Sequence, residues 1–265
     1  MAILKKVAQL LPASLAALVI GTSGAVAADA AADANNPLAS VTAFNIQTYQ
    51  IDSFTDTSGL DGSQYWLRYA KPLQFGDTSW LFRASLPYNS FPVGGGGSSV
   101  SGVGDLDLFM AYQFDAGPGI SFGLGPTVVI PTATDDRLGA DQWQLGLANV
   151  YFNGTSPKYQ YGYLAIYRAG IGSTPVGRQR PNIFAFQPIY FWQLGNGWYT
   201  GGAPVWTYDF ATDNYNIPIG LRLGKVKQFG NTTANIFVEP QWSVAHRGAG
   251  QPDFQIYAAV NLQFR

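Results

Sequence analysis

The sequence predicts an all-β protein, a membrane up-and-down antiparallel β-barrel of about twelve strands with both termini on the periplasmic side. Three observations carry this. Segments in which apolar and polar residues alternate with a period of two recur from residue 41 almost to Arg265. Charged residues are 12% of the chain, about half the ~25% of an ordinary soluble protein, so a water-facing outer surface is not provided for. The connections between segments alternate short and long, as when tight turns face the periplasm and longer loops face outside.

Taken in order, the chain opens with Lys5 and Lys6, an apolar run over 7–20 and small residues ending in Ala25-Val26-Ala27. A charged start, a short apolar core and an A-x-A site together predict a signal peptide over 1–27; the apolar run is too short for the ~20 residues of a spanning helix. Residues 28–40 are expected to be a short periplasmic lead-in, too small for a plug domain. The barrel domain is expected over 41–265, with strands near 41–54, 64–75, 79–88, 104–114, 119–131, 142–152, 159–171, 182–193, 197–209, 215–227, 233–245 and 253–264. Compact turns such as "GDT" (76–78) and "LGNG" (194–197) alternate with longer stretches at 55–63, 89–103, 132–141 and 172–181. Trp80, Trp192 and Trp198 lie beside short turns, whereas Trp143, Trp206 and Tyr208 lie toward the other end, which predicts two aromatic girdles.

The clearest strand is "DFQIYAAVNLQFR" (253–265), in which Phe254, Ile256, Ala258, Val260, Leu262 and Phe264 share one face. In a closed barrel it pairs with 41–54 and leaves no backbone edge in lipid. The rival fold, a soluble two-sheet sandwich, needs Lys, Glu and Asp on its polar face; here that face carries Gln, Asn, Ser, Thr and Gly. Pro126, Pro188, Pro204, Pro218 and Pro240 fall inside the expected strands. A closed barrel has no free edge for them, so they call for bulges or locally broken ladders.

Cysteine is absent, which excludes disulfides and thiolate metal sites. Without Lys5 and Lys6, thirteen basic face sixteen acidic side chains, a mild acidic balance that argues against nucleic acid as a partner. The single histidine, His246, has Gly248 and Val244 two residues away and no serine on its strand face, so a Ser–His hydrolase site is not supported. Asp135 and Asp136 adjoin Arg137 and lack calcium-loop spacing, which predicts a turn with locally satisfied carboxylates and no metal site. "GGGGSS" (94–99) lacks the Lys-Ser/Thr of a phosphate loop and is expected to be a flexible external loop. Arg178 and Arg180 are expected in a solvated loop, with lipopolysaccharide contact as the alternative.

The sharper signal lies in the strand charges. Parity places Arg68, Arg83, Asp105, Asp107, Arg222 and Glu239 on the face opposite the apolar one, hence in the lumen, because charge on the lipid face costs ~2–4 kcal/mol near the midplane. These six are the candidate pore-lining or substrate-binding residues. Arg83 and Asp107 lie on consecutive strands, and so do Arg222 and Glu239. Two readings stay open: a salt-bridged interior that fills and stabilises the barrel, or a polar constriction that selects solutes.

The segments "GVGDLDLFMAYQF" (102–114), "FGLGPTVVIPTATDDRLGADQWQLG" (122–146), "QPIYFWQLGNGWY" (187–199) and "IPIGLRLGKV" (217–226) resemble a family of bacterial outer-membrane barrels filed under a meta-pathway of phenol degradation. Its members are often labelled transporters. The resemblance runs from "NPLAS" (36–40) nearly to the C-terminus, and Arg265 departs from the usual terminal aromatic residue. It implies a barrel in the outer membrane of a Gram-negative bacterium that passes small compounds, aromatic ones among them, and it implies no catalytic residues and no cofactor. The expected function is therefore passive passage of small aromatic or hydrophobic molecules; the alternatives are a structural or surface-interaction barrel with a closed lumen and a lipid-modifying enzyme. Expected partners are outer-membrane lipids, lipopolysaccharide, the barrel-assembly machinery and the small-molecule solute.

Overall fold

The computed structural model describes residues 33–94 and 98–264; the expected signal peptide lies outside them. Among the described residues there are fifteen strands: β1 (Thr42–Phe54), β2 (Gly62–Phe75), β3 (Thr78–Val93), β4 (Ser98–Val103), β5 (Leu106–Asp115), β6 (Ile120–Ile130), β7 (Gln144–Asn153), β8 (Tyr159–Gly170), β9 (Asn182–Gly195), β10 (Trp198–Gly202), β11 (Trp206–Asp209), β12 (Asn214–Gly220), β13 (Arg222–Phe229), β14 (Thr232–Arg247) and β15 (Pro252–Phe264). β4 with β5, β10 with β11, and β12 with β13 are successive pieces of one stave each, so the fifteen strands make twelve antiparallel staves. β15 pairs with β14 on one side and with β1, from Thr42↔Phe264 to Phe54↔Pro252, on the other, which closes the barrel. Closure leaves no sheet edge, the condition for a β-structure in hydrocarbon.

The period-two pattern does what the sequence reading expects. In the β1–β15 pair, Asn45 faces Asn261 on the lumen side and Ile46 faces Val260 on the outer side; Ile46 is 51% exposed and Leu221 62%, values at home in lipid contact. Ring contacts run round the outer surface at both ends. Trp80, Tyr112, Phe114 and Phe122 form a chain with centroids 4.6–5.3 Å apart near the short turns. Phe186–Trp206 and Trp242–Phe254, at 5.6 and 5.3 Å, lie toward the other end.

The stretch 89–103, expected to be a loop, is mostly strand. β3 continues to Val93 and β4 returns from Ser98, paired from Val93↔Ser98 to Tyr88↔Val103. The alternation simply runs on past the barrel rim, where "SFPV" and "SSVSGV" still suit a hairpin.

Four of the five prolines are accommodated by one device: each keeps its ladder on one side and faces a skipped stretch on the other, where its missing N–H is not needed. Pro204 lies in the gap between β10 and β11, unpaired on both sides. Pro126 pairs with Leu147 of β7, while the β5–β6 register jumps from Phe109↔Thr127 to Tyr112↔Leu124. Pro188 pairs with Tyr163 of β8, while Gln187, Pro188 and Ile189 have no ladder partner among Ala203, Pro204 and Val205. Pro218 pairs with Ser243 next to a bulge, and Pro240 pairs with Ile256. Between Gly201↔Arg222 and Thr207↔Asn216, residues 202–206 and 217–221 are unpaired across from one another. Four of the five prolines thus converge on one sector, a seam in the wall spanning β9 to β14.

Side chains replace the missing ladder in that seam. Tyr190 Oη donates to the Gly220 carbonyl at 2.8 Å and Trp206 Nε1 to the Pro218 carbonyl at 3.0 Å, both from the outer face. From inside, Gln187 Nε2 donates to the Ala203 carbonyl at 2.8 Å, and the Ala203 N–H donates to both Glu239 carboxylate oxygens at 3.2 Å. Close approach fixes a glycine here: Gly201 has φ +148°, and a Cβ on it would lie 1.9 Å from the Tyr190 carbonyl oxygen.

Candidate lumen site

The six sequence-predicted residues separate into three groups. Arg222 and Glu239 form a buried ion pair, Arg222 Nε to Glu239 Oε2 at 2.6 Å, with side chains 7% and 0% exposed. The guanidinium lies 3.6 Å from the Phe237 ring centroid and near Phe191 and Tyr257. Glu239 also accepts from Gln241 Nε2 at 2.7 Å besides the Ala203 amide. This pair belongs to the seam, its carboxylate is fully occupied by protein donors, and Arg222 also borders the lower lumen cavity.

Asp105 is the second group. It sits in the break between β4 and β5, and its carboxylate accepts from the Ala133 and Ala140 amides at 3.2 and 2.7 Å. It ties down the 131–143 connection, so its inward parity ends in a loop anchor.

Arg68, Arg83 and Asp107 are the third group, and all three line a cavity of about 370 Å³ inside the barrel. The expected Arg83–Asp107 contact is not made. Register sets Arg83 opposite Phe109 and Asp107 opposite Ser85, and Asp107 instead forms an ion pair with Arg168 of β8. Arg168 was not singled out from the sequence, although Tyr167 on the outer face gives it the same inward parity. Among the described residues neither Arg68 nor Arg83 has an ion pair or a side-chain hydrogen bond. Each stacks instead, Arg68 over Trp66 at 5.3 Å and Arg83 over Phe109 at 4.9 Å.

Arg68 and Arg83 also line a second, smaller cavity of about 150 Å³ toward the short-turn end. They therefore form a shelf between two compartments stacked along the barrel axis. The floor of the lower compartment is the segment 33–41, which folds into the barrel. Asn235 Nδ2 donates to the Ala34 carbonyl at 3.2 Å and to Asn35 Oδ1 at 2.9 Å. Gln113 Nε2 holds the Leu38 carbonyl at 3.3 Å, and Asn36 Nδ2 reaches Ser121 Oγ at 2.9 Å. Leu38 is buried against Leu81, Phe109 and Val150. Nine residues are too few for a domain, yet they suffice to stopper a barrel of this width because its lower lumen is already narrowed by Phe152, Phe191, Tyr199 and Phe237.

The long-loop end is braced by its own charges. Arg137 donates to Asp135 through Nε and Nη2 at 2.8 and 2.7 Å, and these bonds hold the Asp135 carboxyl well below the usual carboxylate range. Arg178 donates to the Gly139 carbonyl at 2.8 Å and to the Asp136 carbonyl, fastening 171–181 onto 131–143. Arg180 Nη2 holds the Gly172 carbonyl at 2.7 Å. His246 stands 3.7 Å from Asp56, partly exposed.

A closed twelve-stranded barrel with an apolar outer band, aromatic girdles and a charged lumen is the architecture of outer-membrane barrels. Solved structures share the fold. An outer membrane channel from Pseudomonas putida F1 aligns over 87% of this chain and 98% of that one, with 14% identity and a TM-score of 0.68. The NanC porin aligns over 84% of this chain and 99% of its own, with 8% identity and a TM-score of 0.51. At these identities the likeness is one of fold. No family model and no curated protein matches the sequence, so the phenol-degradation label stays a resemblance.

Proposed function

We propose that this protein is a passive outer-membrane channel for small molecules, exported by its signal peptide and inserted by the barrel-assembly machinery among outer-membrane lipids and lipopolysaccharide. The observation that supports this best is the pair of compartments stacked inside a closed wall and divided by Arg68 and Arg83. A filled interior serving stability alone has no use for two lumen arginines without counter-ions, since an unpaired charge shielded from water is unfavourable. The His246 surroundings support no hydrolytic role.

A second reading, a closed structural barrel, is favoured by the 33–41 stopper. Passage then requires that segment to shift. Planar-bilayer conductance of the purified chain tests both readings: the channel reading expects brief openings in the intact protein and several-fold higher mean conductance after deletion of 33–40. An intact barrel silent both before and after that deletion belongs to the structural reading.

A further inference from the structure

The geometry points to a binding site for a small organic monoanion, a carboxylate on an apolar or aromatic body, in the upper lumen compartment. This rests on the channel reading only for how the solute arrives. Three guanidinium groups, Arg68, Arg83 and Arg168, line the compartment with one carboxylate, Asp107. Asp107 pairs with Arg168 through Oδ2, and its Oδ1 has no hydrogen-bond partner among the described residues. The two remaining positive charges have no ion-pair partner among the described residues, and the buried carboxylate of Glu239 is committed to Arg222 and the seam. A site with uncompensated guanidinium groups selects carboxylates, which match their planar donor geometry.

The rest of the lining sets the body of the ligand. Tyr49, Trp66, Ile166, Ile183, Val205 and Pro218 supply apolar walls, beside polar contacts from Gln64, Ser85, Gln187, Asn216, Gln241 and Gln255. Tyr49 is held rigidly by stacking on Tyr257, with centroids 4.3 Å apart and planes 4° from parallel. The volume of about 370 Å³ lies within the roughly 300–1,000 Å³ of small-molecule sites. Stacking consumes one face of the Arg68 and Arg83 guanidinium groups and leaves their terminal nitrogens to the compartment.

The test is calorimetric titration of the purified chain, folded in detergent, with benzoate, benzyl alcohol, benzylammonium and acetate. Benzoate is expected to bind, with the neutral and cationic analogues weaker by about tenfold or more, as for loss of a charge-assisted hydrogen bond. Acetate is expected to be weaker too, for want of the ring. The double variant Arg68→Gln/Arg83→Gln should lose at least about tenfold in benzoate affinity, whereas Arg83→Lys, which keeps the charge but not the planar fork, should lose less than the double variant and controls for folding. Asp107→Asn should tighten benzoate binding by freeing Arg168. Benzylammonium binding as well as benzoate, or undiminished benzoate binding by a folded double variant, overturns the site. Benzoate binding without any conductance keeps the site and removes the channel; conductance without benzoate binding keeps the channel and removes the site.

Discussion

Two sectors of the barrel wall solve the same problem differently. From β7 to β8 the ladder runs from Gln144↔Gly170 to Asn153↔Tyr161 without a gap, and β1 to β2 is unbroken from Ala43↔Ala70 to Ile51↔Gly62. There the main chain satisfies itself, and inward side chains such as Arg68 and Arg168 are not drawn into main-chain hydrogen bonds. From β9 to β14, Pro188, Pro204, Pro218 and Pro240 interrupt the ladders, and main-chain groups borrow Gln187, Tyr190, Trp206 and Glu239. In lipid an unsatisfied amide or carbonyl costs several kcal/mol, so these side chains are held by the wall. The difference teaches that a lumen-facing charge is released from the wall only where the ladder behind it is complete.

The largest expected effect of testing that contrast is at Glu239. Glu239→Gln weakens the acceptor of the Ala203 amide and leaves the buried Arg222 guanidinium unpaired, which should destabilise the barrel by on the order of 3–5 kcal/mol. Urea unfolding of the lipid-reconstituted protein, followed by heat-modifiable migration, reads the loss; wild-type stability in this variant would dissolve the seam account. Next come Tyr190→Phe and Trp206→Phe, each removing one donor to a seam carbonyl and each expected to lower stability by ~1 kcal/mol or somewhat more. Tyr167→Phe serves as the comparison in the unbroken sector, since its hydroxyl has no hydrogen bond among the described residues, and it should change nothing. Equal losses at Tyr167 and Tyr190 would mean the seam is not special.

The smallest effect is expected at the loops. The Asp135 carboxyl is depressed in the folded protein, so its favourable contribution is present above the ordinary carboxylate pKa of ~4 and fades only as pH falls through the lower folded value. Because the pair with Arg137 is exposed, Asp135→Asn should leave global unfolding unchanged and merely speed protease cleavage within 131–143 at neutral pH. A large fall in barrel stability would show that this loop does more than cover the rim.

Much of this architecture was legible in the sequence because its signals are local. Alternation placed the staves and paired 253–264 with 41–54, and parity turned Arg68, Arg83, Asp107, Arg222 and Glu239 inward. The prolines announced broken ladders, but their convergence on one sector depends on register across several staves, which no single segment encodes. Register likewise decided that Arg222 meets Glu239 while Arg83 misses Asp107, whose partner Arg168 lies three staves further round. Asp105 has inward parity, yet the chain breaks from strand at that point and hands its carboxylate to a loop. The 33–41 stopper was invisible because its fit depends on Asn235, Gln113 and Phe109, gathered from distant parts of the chain.

The central claim is that seam charges hold the wall while shelf charges face the solute. Reversal potentials across a potassium chloride gradient, measured on Arg83→Gln beside Arg222→Gln in channels that have inserted and migrate as folded, test it most directly. The account predicts a shift toward cation selectivity for Arg83→Gln. Arg222→Gln, at a side chain only 7% exposed beside the lower compartment and paired with Glu239, should shift the reversal potential much less while unfolding more readily. An unchanged potential in Arg83→Gln, or an equal shift in both variants, would contradict it.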